Sequence, residues 1–234
     1  MKTDNRTHIQ KATDVMYASA RRSHIVGKEI AEQIIKSTED KKDLLEHHRE
    51  QLQILDTYLE EIHNEANTFP SCNDKCSGCC KFPIWANELE YLTISAYLES
   101  NFDEHQIEKI KYNFQDWQRN IEKEASELLP GDKDAHTSYT NKNVKCPFLI
   151  DNSCSIYEAR PTSCRTYFSY GNPKACRNEN YPKGSLDLSD AKRNVYQVPM
   201  NNYIRKIANG VKENEQILFS KVMGVKLLPL WFLG

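Results

Sequence analysis

The sequence predicts a mainly α protein with one small β-hairpin. Over two long stretches, apolar residues recur at helical spacing between charged neighbours, as is typical of amphipathic helices. The chain of 234 residues contains eight glycines, and no two of them stand close enough to form a glycine-rich phosphate loop or a nucleophile elbow. These observations favour packed helices and argue against the common nucleotide-binding α/β architectures.

The N-terminal segment, residues 1–69, is expected to consist of amphipathic helices. Residues 7–38 place isoleucines among polar neighbours, which indicates a first helix. A second helix follows, in which apolar residues alternate at spacings of three and four, and Phe69-Pro70 ends it. Its stripe consists of Leu45, His48, Leu52, Leu55, Leu59, Ile62 and Ala66. Such helices can pair with each other or bind a protein partner.

The histidines show no pattern of metal ligands, because none is spaced suitably from a cysteine group. We interpret His48 as a satisfied packing residue in the core or at an interface of the second helix, and not as a metal ligand. His47 and His63 are expected to be surface or packing residues of the same helix.

A helical insert is predicted over residues 86–130. Asn87 with Glu90, and Asp103 with Gln106, each have the spacing of a capping pattern at a helix N-terminus. The second of these helices carries apolar residues on one face, which we interpret as core residues and not as a cofactor site. They are Ile107, Ile110, Phe114, Trp117, Ile121, Ala125 and Leu128.

A short β-hairpin is predicted within residues 144–157. Its turn is expected at residues 151–153, a polar stretch between two short apolar runs. Pro147 restricts the first strand to a sheet edge, because proline has no N–H to donate. A three-residue turn would place Cys146 and Cys154 on the same face of the hairpin, whereas a two-residue turn would not.

The remaining stretches give weaker signals. The polar residues 131–143 are expected to form an exposed loop. Within the C-terminal segment, residues 179–234, a helix is predicted over 190–208, with Gly210 as its C-terminal cap. The apolar tail, residues 222–234, is too short to cross a membrane and is expected to pack on the domain or on a partner.

Eight cysteines fall into two groups, one before and one after the insert. Spacings of two or three residues allow neighbouring thiolates to turn towards one metal ion or cluster. The N-terminus lacks the apolar stretch of a secretory signal, so we expect reduced thiols and a cytoplasmic location. The candidate ligands are Cys72, Cys76, Cys79, Cys80, Cys146, Cys154, Cys164 and Cys176.

The cysteines predict a metal-binding domain over residues 70–178, with the helical insert inside it. Four thiolates around zinc or a cubane cluster leave a net charge of about −2, which nearby cations would offset. Candidates for these cations are Lys75, Lys81, Arg160 and Arg165. The stretch 136–234 carries 14 Lys and Arg against seven Asp and Glu, and we expect it to contact the acidic remainder of the chain or an anionic cofactor.

The spacing of Cys72, Cys76 and Cys79 also occurs in radical enzymes that reduce S-adenosylmethionine. Those enzymes usually place an aromatic residue before the third cysteine, where this chain has Gly78. They also need alternating strands and helices downstream, whereas helices follow here. We therefore interpret the shared spacing as a coincidence.

Three blocks of the sequence resemble the YkgJ-type cysteine-cluster family, a zinc- or iron-chelating domain with a C-x-x-C-x-x-C-C signature. They are the group ending in Cys79-Cys80, the block Cys146-Pro147-Phe148-Leu149, and the stretch from Cys154 through Arg160-Pro161 to Cys164-Arg165. The resemblance covers about residues 70–170. It implies metal binding by the seven cysteines of these blocks. Cys176 lies outside them, and the first gap is one residue longer than in the signature.

Three functions are compatible with these residues. The leading prediction is a cytoplasmic metalloprotein that holds an iron–sulfur cluster or zinc. The flagellin lysine methylase resembles the same family, which implies a protein lysine methyltransferase with S-adenosylmethionine as a second cofactor. The third is a zinc-stabilised protein or nucleic-acid adaptor, although a pI near 6.4 argues against nucleic acid. No catalytic triad or pair of carboxylates stands out, so no catalytic residue is predicted.

Overall fold

The computed structural model describes residues 6–36, 43–72, 75–129, 132–178, 183–208 and 224–233. The chain divides into two compact units, each assembled from three separate stretches. The first unit comprises Met1–Ser71, Thr162–Gly171 and Lys183–Gly224. The second unit comprises Cys72–Pro161, Asn172–Pro182 and Val225–Gly234. The predicted mainly α fold is confirmed.

The elements follow the chain in a simple order. The helices are α1 (His8–Lys36), α2 (Leu44–Glu65), α3 (Glu88–Asn101), α4 (Glu104–Glu127), α5 (Lys133–Asn141), α6 (Thr162–Thr166), α7 (Pro173–Asn178), α8 (Ser189–Ala191) and α9 (Val198–Ile207). A π-helical segment, Lys192–Gln197, joins α8 to α9, and a 3-10 turn covers Leu228–Trp231. The strands are β1 (Trp85–Asn87), β2 (Leu149–Ile150), β3 (Ser153–Cys154), β4 (Tyr167–Ser169), β5 (Ser185–Asp187) and β6 (Val225–Leu227).

The strands form three antiparallel pairs. In the first unit β4 pairs with β5, and in the second unit β1 pairs with β6 and β2 with β3. None of the helices in the described ranges combines the length and hydrophobicity needed to cross a lipid bilayer.

The first unit packs α1 and α2 against the helical run from α8 to α9. Asp43 begins α2 by accepting hydrogen bonds from the N–H groups of Leu45 and Glu46, at 2.9 and 3.3 Å. The run from α8 to α9 lies where the helix over 190–208 is predicted, whereas the predicted cap Gly210 lies outside the described residues.

Polar side chains contribute to the interior of the first unit. Asp190 accepts hydrogen bonds from Ser19 and Ser23 on α1, at 2.8 and 3.3 Å. His48 on α2 has no exposed surface and meets the ring of Tyr196 edge-on at 5.7 Å. The interpretation of His48 as a buried packing residue is therefore confirmed.

The second unit is built on α3 and α4. Both predicted caps are confirmed, because Asn87 with Glu90 and Asp103 with Gln106 form reciprocal hydrogen bonds at the two helix N-termini. The α4 residue Trp117 is 1% exposed, as expected of a core residue.

The expectation of a loop over residues 131–143 is wrong. Lys133–Asn141 form α5, because Asp132 caps it by accepting from the N–H of Ala135 at 2.9 Å. Tyr139 anchors this helix to the core, where its hydroxyl accepts a 3.1 Å hydrogen bond from Trp117 Nε1. Most other residues of α5 face solvent, which explains why its composition resembles that of a loop.

The predicted hairpin is present, but its turn is shorter than residues 151–153. Ser153 pairs with Ile150, so Asp151 and Asn152 alone form the turn. Both have positive φ angles, 50° and 62°, as the type I′ form of a two-residue hairpin turn requires. Cys154 pairs with Leu149, and Cys146 precedes the first strand.

The described part of the apolar tail from Val225 onwards belongs to the second unit. Val225–Leu227 form β6 beside β1, and Leu227 and Leu228 are each 1% exposed. The indole N–H of Trp231 donates a 2.9 Å hydrogen bond to the carbonyl oxygen of Ala86.

Candidate metal centre

The first cysteine segment, residues 72–80, enters the second unit through tight turns. The N–H of Cys80 donates to the carbonyl oxygen of Ser77 at 3.2 Å, and the N–H of Phe82 donates to that of Cys79 at 3.0 Å. Gly78 is buried against Cys176 on α7, where a Cβ added to the glycine would lie 2.5 Å from the Cβ of Cys176. Glycine is therefore needed here for close approach.

The second cysteine segment, residues 146–154, is joined to the first by a main-chain hydrogen bond. The N–H of Cys146 donates to the carbonyl oxygen of Cys80 at 2.6 Å. The side chain of Asn113 on α4 donates to the carbonyl oxygens of Pro147 and Leu149, at 3.0 and 3.2 Å. These bonds fix the backbone from which Cys146 projects.

Four thiols lie together in the second unit. Cys79 and Cys80 form a side-chain hydrogen bond, and each of them interacts electrostatically with both Cys146 and Cys154. Cys146 and Cys154 also interact with each other, so each of the four thiols lies within range of the charge of the other three. The fold thus unites two thiols from each cysteine segment.

The four thiols differ in how readily they lose a proton. The hydrogen bond that Cys80 donates to Cys79 lowers the pKa of Cys79 and raises the pKa of Cys80. Burial raises the pKa of Cys146 to about 12. Burial also raises the pKa of Cys154, although the positive charge of Arg160 acts in the opposite direction.

The cations predicted to offset the thiolate charge have different surroundings. The guanidinium of Arg160 lies 3.8 Å from the centroid of the Tyr157 ring and favours the thiolate form of both Cys79 and Cys154. Arg165 lies in the first unit, where it is 4% exposed and forms an ion pair with Asp56.

The other candidate ligands are Cys72, Cys76, Cys164 and Cys176. Cys72 and Cys76 are half-buried in the first segment, and Cys176 is buried on α7. Cys164 is half-buried on α6 in the first unit. None of the eight cysteines forms a disulfide. Within the described ranges, no three cysteine, histidine or carboxylate side chains are arranged as the ligands of a metal ion, so the four thiols do not form a closed ligand set.

Two supporting residues were missed by sequence reasoning. Asn113 lies on the apolar face of α4 and could have been noticed as a polar interruption of that stripe. Tyr139 was placed in a loop, yet it lies near enough to Cys146 for the thiolate charge to raise its pKa further after burial has already raised it. Asp132, a typical N-cap residue, is the sequence signal that could have revealed α5.

Comparison with known families bears directly on this site. The model of the CxxCxxCC family, described as "Putative zinc- or iron-chelating domain", matches residues 71–183, which is just under half of the chain. Residues 71–183 are therefore similar to this family. The resemblance predicted from the sequence is thereby confirmed. No curated protein and no solved structure matches the chain.

The matched region contains the four neighbouring thiols, whose sulfur atoms can bind a metal. Four sulfur donors with a neighbouring guanidinium suit zinc and iron–sulfur clusters, both of which are bound through thiolates. The clustered thiols of this structure therefore fit the metal chelation that the family description names. The methyltransferase and adaptor alternatives stay predictions.

Proposed function

We propose that the protein is a cytoplasmic metalloprotein whose CxxCxxCC domain holds an iron–sulfur cluster or zinc through Cys79, Cys80, Cys146 and Cys154. The observation that carries this proposal is that a main-chain hydrogen bond from Cys146 to Cys80 brings together two thiols from each cysteine segment, near enough to feel one another's charge, which a bound metal would draw into a closed ligand set. Four thiolates are the number that one zinc ion or one cubane cluster requires.

An iron–sulfur cluster is favoured over zinc by the number of cysteines. Thiolate ligands suit both, and eight cysteines exceed the four that one zinc ion or one cubane cluster uses, an excess that we interpret as more typical of cluster proteins. When bound, a cluster would supply one-electron redox chemistry, whereas zinc would supply a structural cross-link. A reducing compartment suits such a centre, because clustered thiols persist unoxidised there.

The residues around the thiols have distinct tasks in this proposal. The hydrogen bond from Cys146 to Cys80 sets the register of the two segments. Cys80 and Cys79 share one proton through their hydrogen bond. This proton must be released before both sulfur atoms can bind a metal as thiolates. The burial that raises the pKa of Cys146 likewise disfavours its thiolate, which makes metal retention weaker as the pH falls.

The test measures iron, zinc and acid-labile sulfide in protein purified without oxygen, together with its ultraviolet–visible spectrum. Brown protein with about four irons and a matching amount of sulfide would support a cluster. Colourless protein with zinc would support the alternative. Protein with reduced thiols and neither metal would refute the proposal.

Substitutions separate ligands from neighbouring cysteines. We expect Cys79→Ser and Cys146→Ser each to lose most of the metal and to lower the unfolding temperature, because metal binding also stabilises the fold. Cys176→Ser is made for comparison, since it changes a buried cysteine of the same unit that is not among the four proposed ligands. Equal metal loss in all three variants would contradict the assignment of these four ligands.

A further inference from the structure

His63, close to the end of α2, is buried against the aromatic side chains that follow and form strand β4. His63 is 5% exposed and Tyr170 is 3% exposed. The Nε2 atom of His63 lies 2.9 Å from the hydroxyl oxygen of Tyr170, and its ring meets that of Phe168 edge-on at 4.7 Å. The two side chains therefore share a hydrogen bond that is largely shielded from water.

The direction of this hydrogen bond follows from the second partner of the imidazole. The ring of His63 also hydrogen-bonds the main-chain carbonyl oxygen of Leu59, one turn earlier in α2. A carbonyl oxygen only accepts, so the ring nitrogen on that side carries a hydrogen. In the neutral ring Nε2 is then the acceptor, and the hydroxyl of Tyr170 donates to it.

The backbone around Tyr170 holds the end of the segment that leads from α2 to the cysteines. The N–H of Ser71 donates to the carbonyl oxygen of Ser169 at 2.8 Å, and its hydroxyl donates to that of Gly171 at 2.7 Å. Tyr170 itself donates its N–H to the carbonyl oxygen of Gly184 at 3.0 Å. The two residues that hold Ser71 thus lie on either side of Tyr170, and Cys72 comes next in the chain.

The charged and titratable side chains of the surrounding elements are exposed or paired with one another. They are Arg6, His8, Asp14, Arg21 and Arg22 before and on α1, Asp56, Glu60, Glu61 and Glu65 on α2, Arg165 on α6, and Lys183 and Asp187 before and on β5. Burial lowers the pKa of His63, whereas the hydrogen bond to Leu59 acts in the opposite direction. Burial therefore keeps the ring neutral.

We propose that the hydrogen bond between His63 and Tyr170 is a pH-sensitive contact, which fixes Ser71 at neutral pH and releases it when His63 takes up a proton. Protonation places a hydrogen on Nε2, where the hydroxyl of Tyr170 now donates, and it puts a charge into a buried site. Opening of this contact returns the imidazole to water, where its pKa is about 6.5. The inference concerns the first unit and does not require a bound metal.

The test measures amide hydrogen exchange at Ser71 by nuclear magnetic resonance, on the full chain at pH 7.5 and pH 5.5. Each rate is corrected for the intrinsic effect of pH and expressed as a protection factor. We expect the protection of Ser71 to fall by up to about tenfold at pH 5.5, because one pH unit below the pKa of the open state changes the opening equilibrium about tenfold. In His63→Gln this fall should shrink to less than about twofold, since the titrating group is gone.

His24→Gln is the matched control, because His24 is an exposed histidine of α1. It should show the same fall in Ser71 protection as the wild type. Tyr170→Phe keeps the ring but removes the donor, so the protection of Ser71 should already be lower at pH 7.5. Tyr17→Phe removes the hydroxyl of a tyrosine that is 58% exposed and should leave this protection unchanged.

The outcomes separate this inference from the proposed function. Effects of His48 and of metal release at low pH are common to wild type and His63→Gln, so the difference between these two proteins belongs to His63. An equal fall in both, or no fall in the wild type, would refute the inference. If His63→Gln fails to fold, Tyr170→Phe decides, and wild-type protection of Ser71 in that variant refutes it. Protein without metal would overturn the proposed function and leave this contact standing.

Discussion

The N–H of Cys146 donates a 2.6 Å hydrogen bond to the carbonyl oxygen of Cys80. This bond joins two cysteine segments that the whole helical insert separates in the sequence. Because both groups belong to the main chain, this hydrogen bond does not depend on the cysteine side chains themselves. The register of the candidate metal centre is thus set by the backbone, and the residues that support this backbone should affect the centre without touching a metal.

Asn113 is one such residue. Its side-chain amide donates hydrogen bonds to the carbonyl oxygens of Pro147 and Leu149. In Asn113→Ala, each of these two part-buried carbonyl oxygens loses the hydrogen bond from Asn113. We expect a loss of about 1–3 kcal/mol in the free energy of unfolding and weaker metal retention, measured by urea unfolding and metal analysis. Asn120→Ala is the control, because that side chain bonds the carbonyl oxygen of Asp116 within the same helix at an exposed position. Equal effects of the two variants would contradict the prediction.

The contact between Gly78 and Cys176 gives a second prediction. Gly78→Ala would place two Cβ atoms 2.5 Å apart, so the first cysteine segment must shift, and both the unfolding temperature and the metal content should fall. Cys176→Ala cannot relieve this contact, because alanine keeps its Cβ, whereas Cys176→Gly should relieve much of it. The measurement compares Gly78→Ala combined with each of these two changes. Identical stability of the two double variants would show that the Cβ contact is not the cause.

Gly27 on α1 should resist substitution for a related reason. A Cβ at this position would lie 2.0 Å from the main-chain carbonyl oxygen of Asn194 in the π-helical segment. Alanine is otherwise favoured over glycine within a helix by up to about 1 kcal/mol. Here, however, the carbonyl oxygen of Asn194 is a main-chain atom and cannot move aside as a flexible side chain can. We expect Gly27→Ala to destabilise the protein by about 1–3 kcal/mol in urea unfolding. A stabilised variant would refute this close approach.

Ala20→Gly is the control for Gly27. Ala20 is an exposed residue of the same helix, so its substitution should cost about 1 kcal/mol through helix propensity alone. The two opposite exchanges should therefore both destabilise the protein, one through a steric contact and the other through the backbone.

Buried His48 predicts a dependence of stability on pH. Burial, together with the charges of Arg165, Arg49 and His47, lowers its pKa from 6.5 to about 3. The unfolded chain therefore binds a proton below pH 6.5 that the folded protein does not bind until about pH 3, so stability falls as the pH is lowered through this window. Between pH 6.5 and pH 5 the expected loss is about 2 kcal/mol, at 1.36 kcal/mol for each pH unit.

Urea unfolding of metal-free protein at pH 7 and pH 5 measures this effect. His48→Gln should lower the stability at pH 7 but reduce the difference between the two pH values, because the titrating group is gone. The same pH difference in wild type and variant would mean that His48 is not its source.

Local signals in the sequence were sufficient for several elements. Asn87 with Glu90 and Asp103 with Gln106 were predictable as caps, because a capping box depends on residues three positions apart. Helix α5 was missed because its one strong anchor, Tyr139, packs against Trp117 on another helix. The hairpin turn was assigned one residue too long, because the polar residues 151–153 do not show by composition that Ser153 pairs with Ile150.

The sequence by itself determined the mainly α fold, the family resemblance of residues 71–183 and the candidate cysteines, since periodicity, spacing and motif blocks are local properties of the chain. Only the tertiary structure decided which thiols become neighbours. Cys79 and Cys80 meet Cys146 and Cys154 because a main-chain hydrogen bond and the support of α4 bring distant segments together. Burial and the charge of Arg160 then set how easily each thiol ionises, and both depend on the packed surroundings of the thiols.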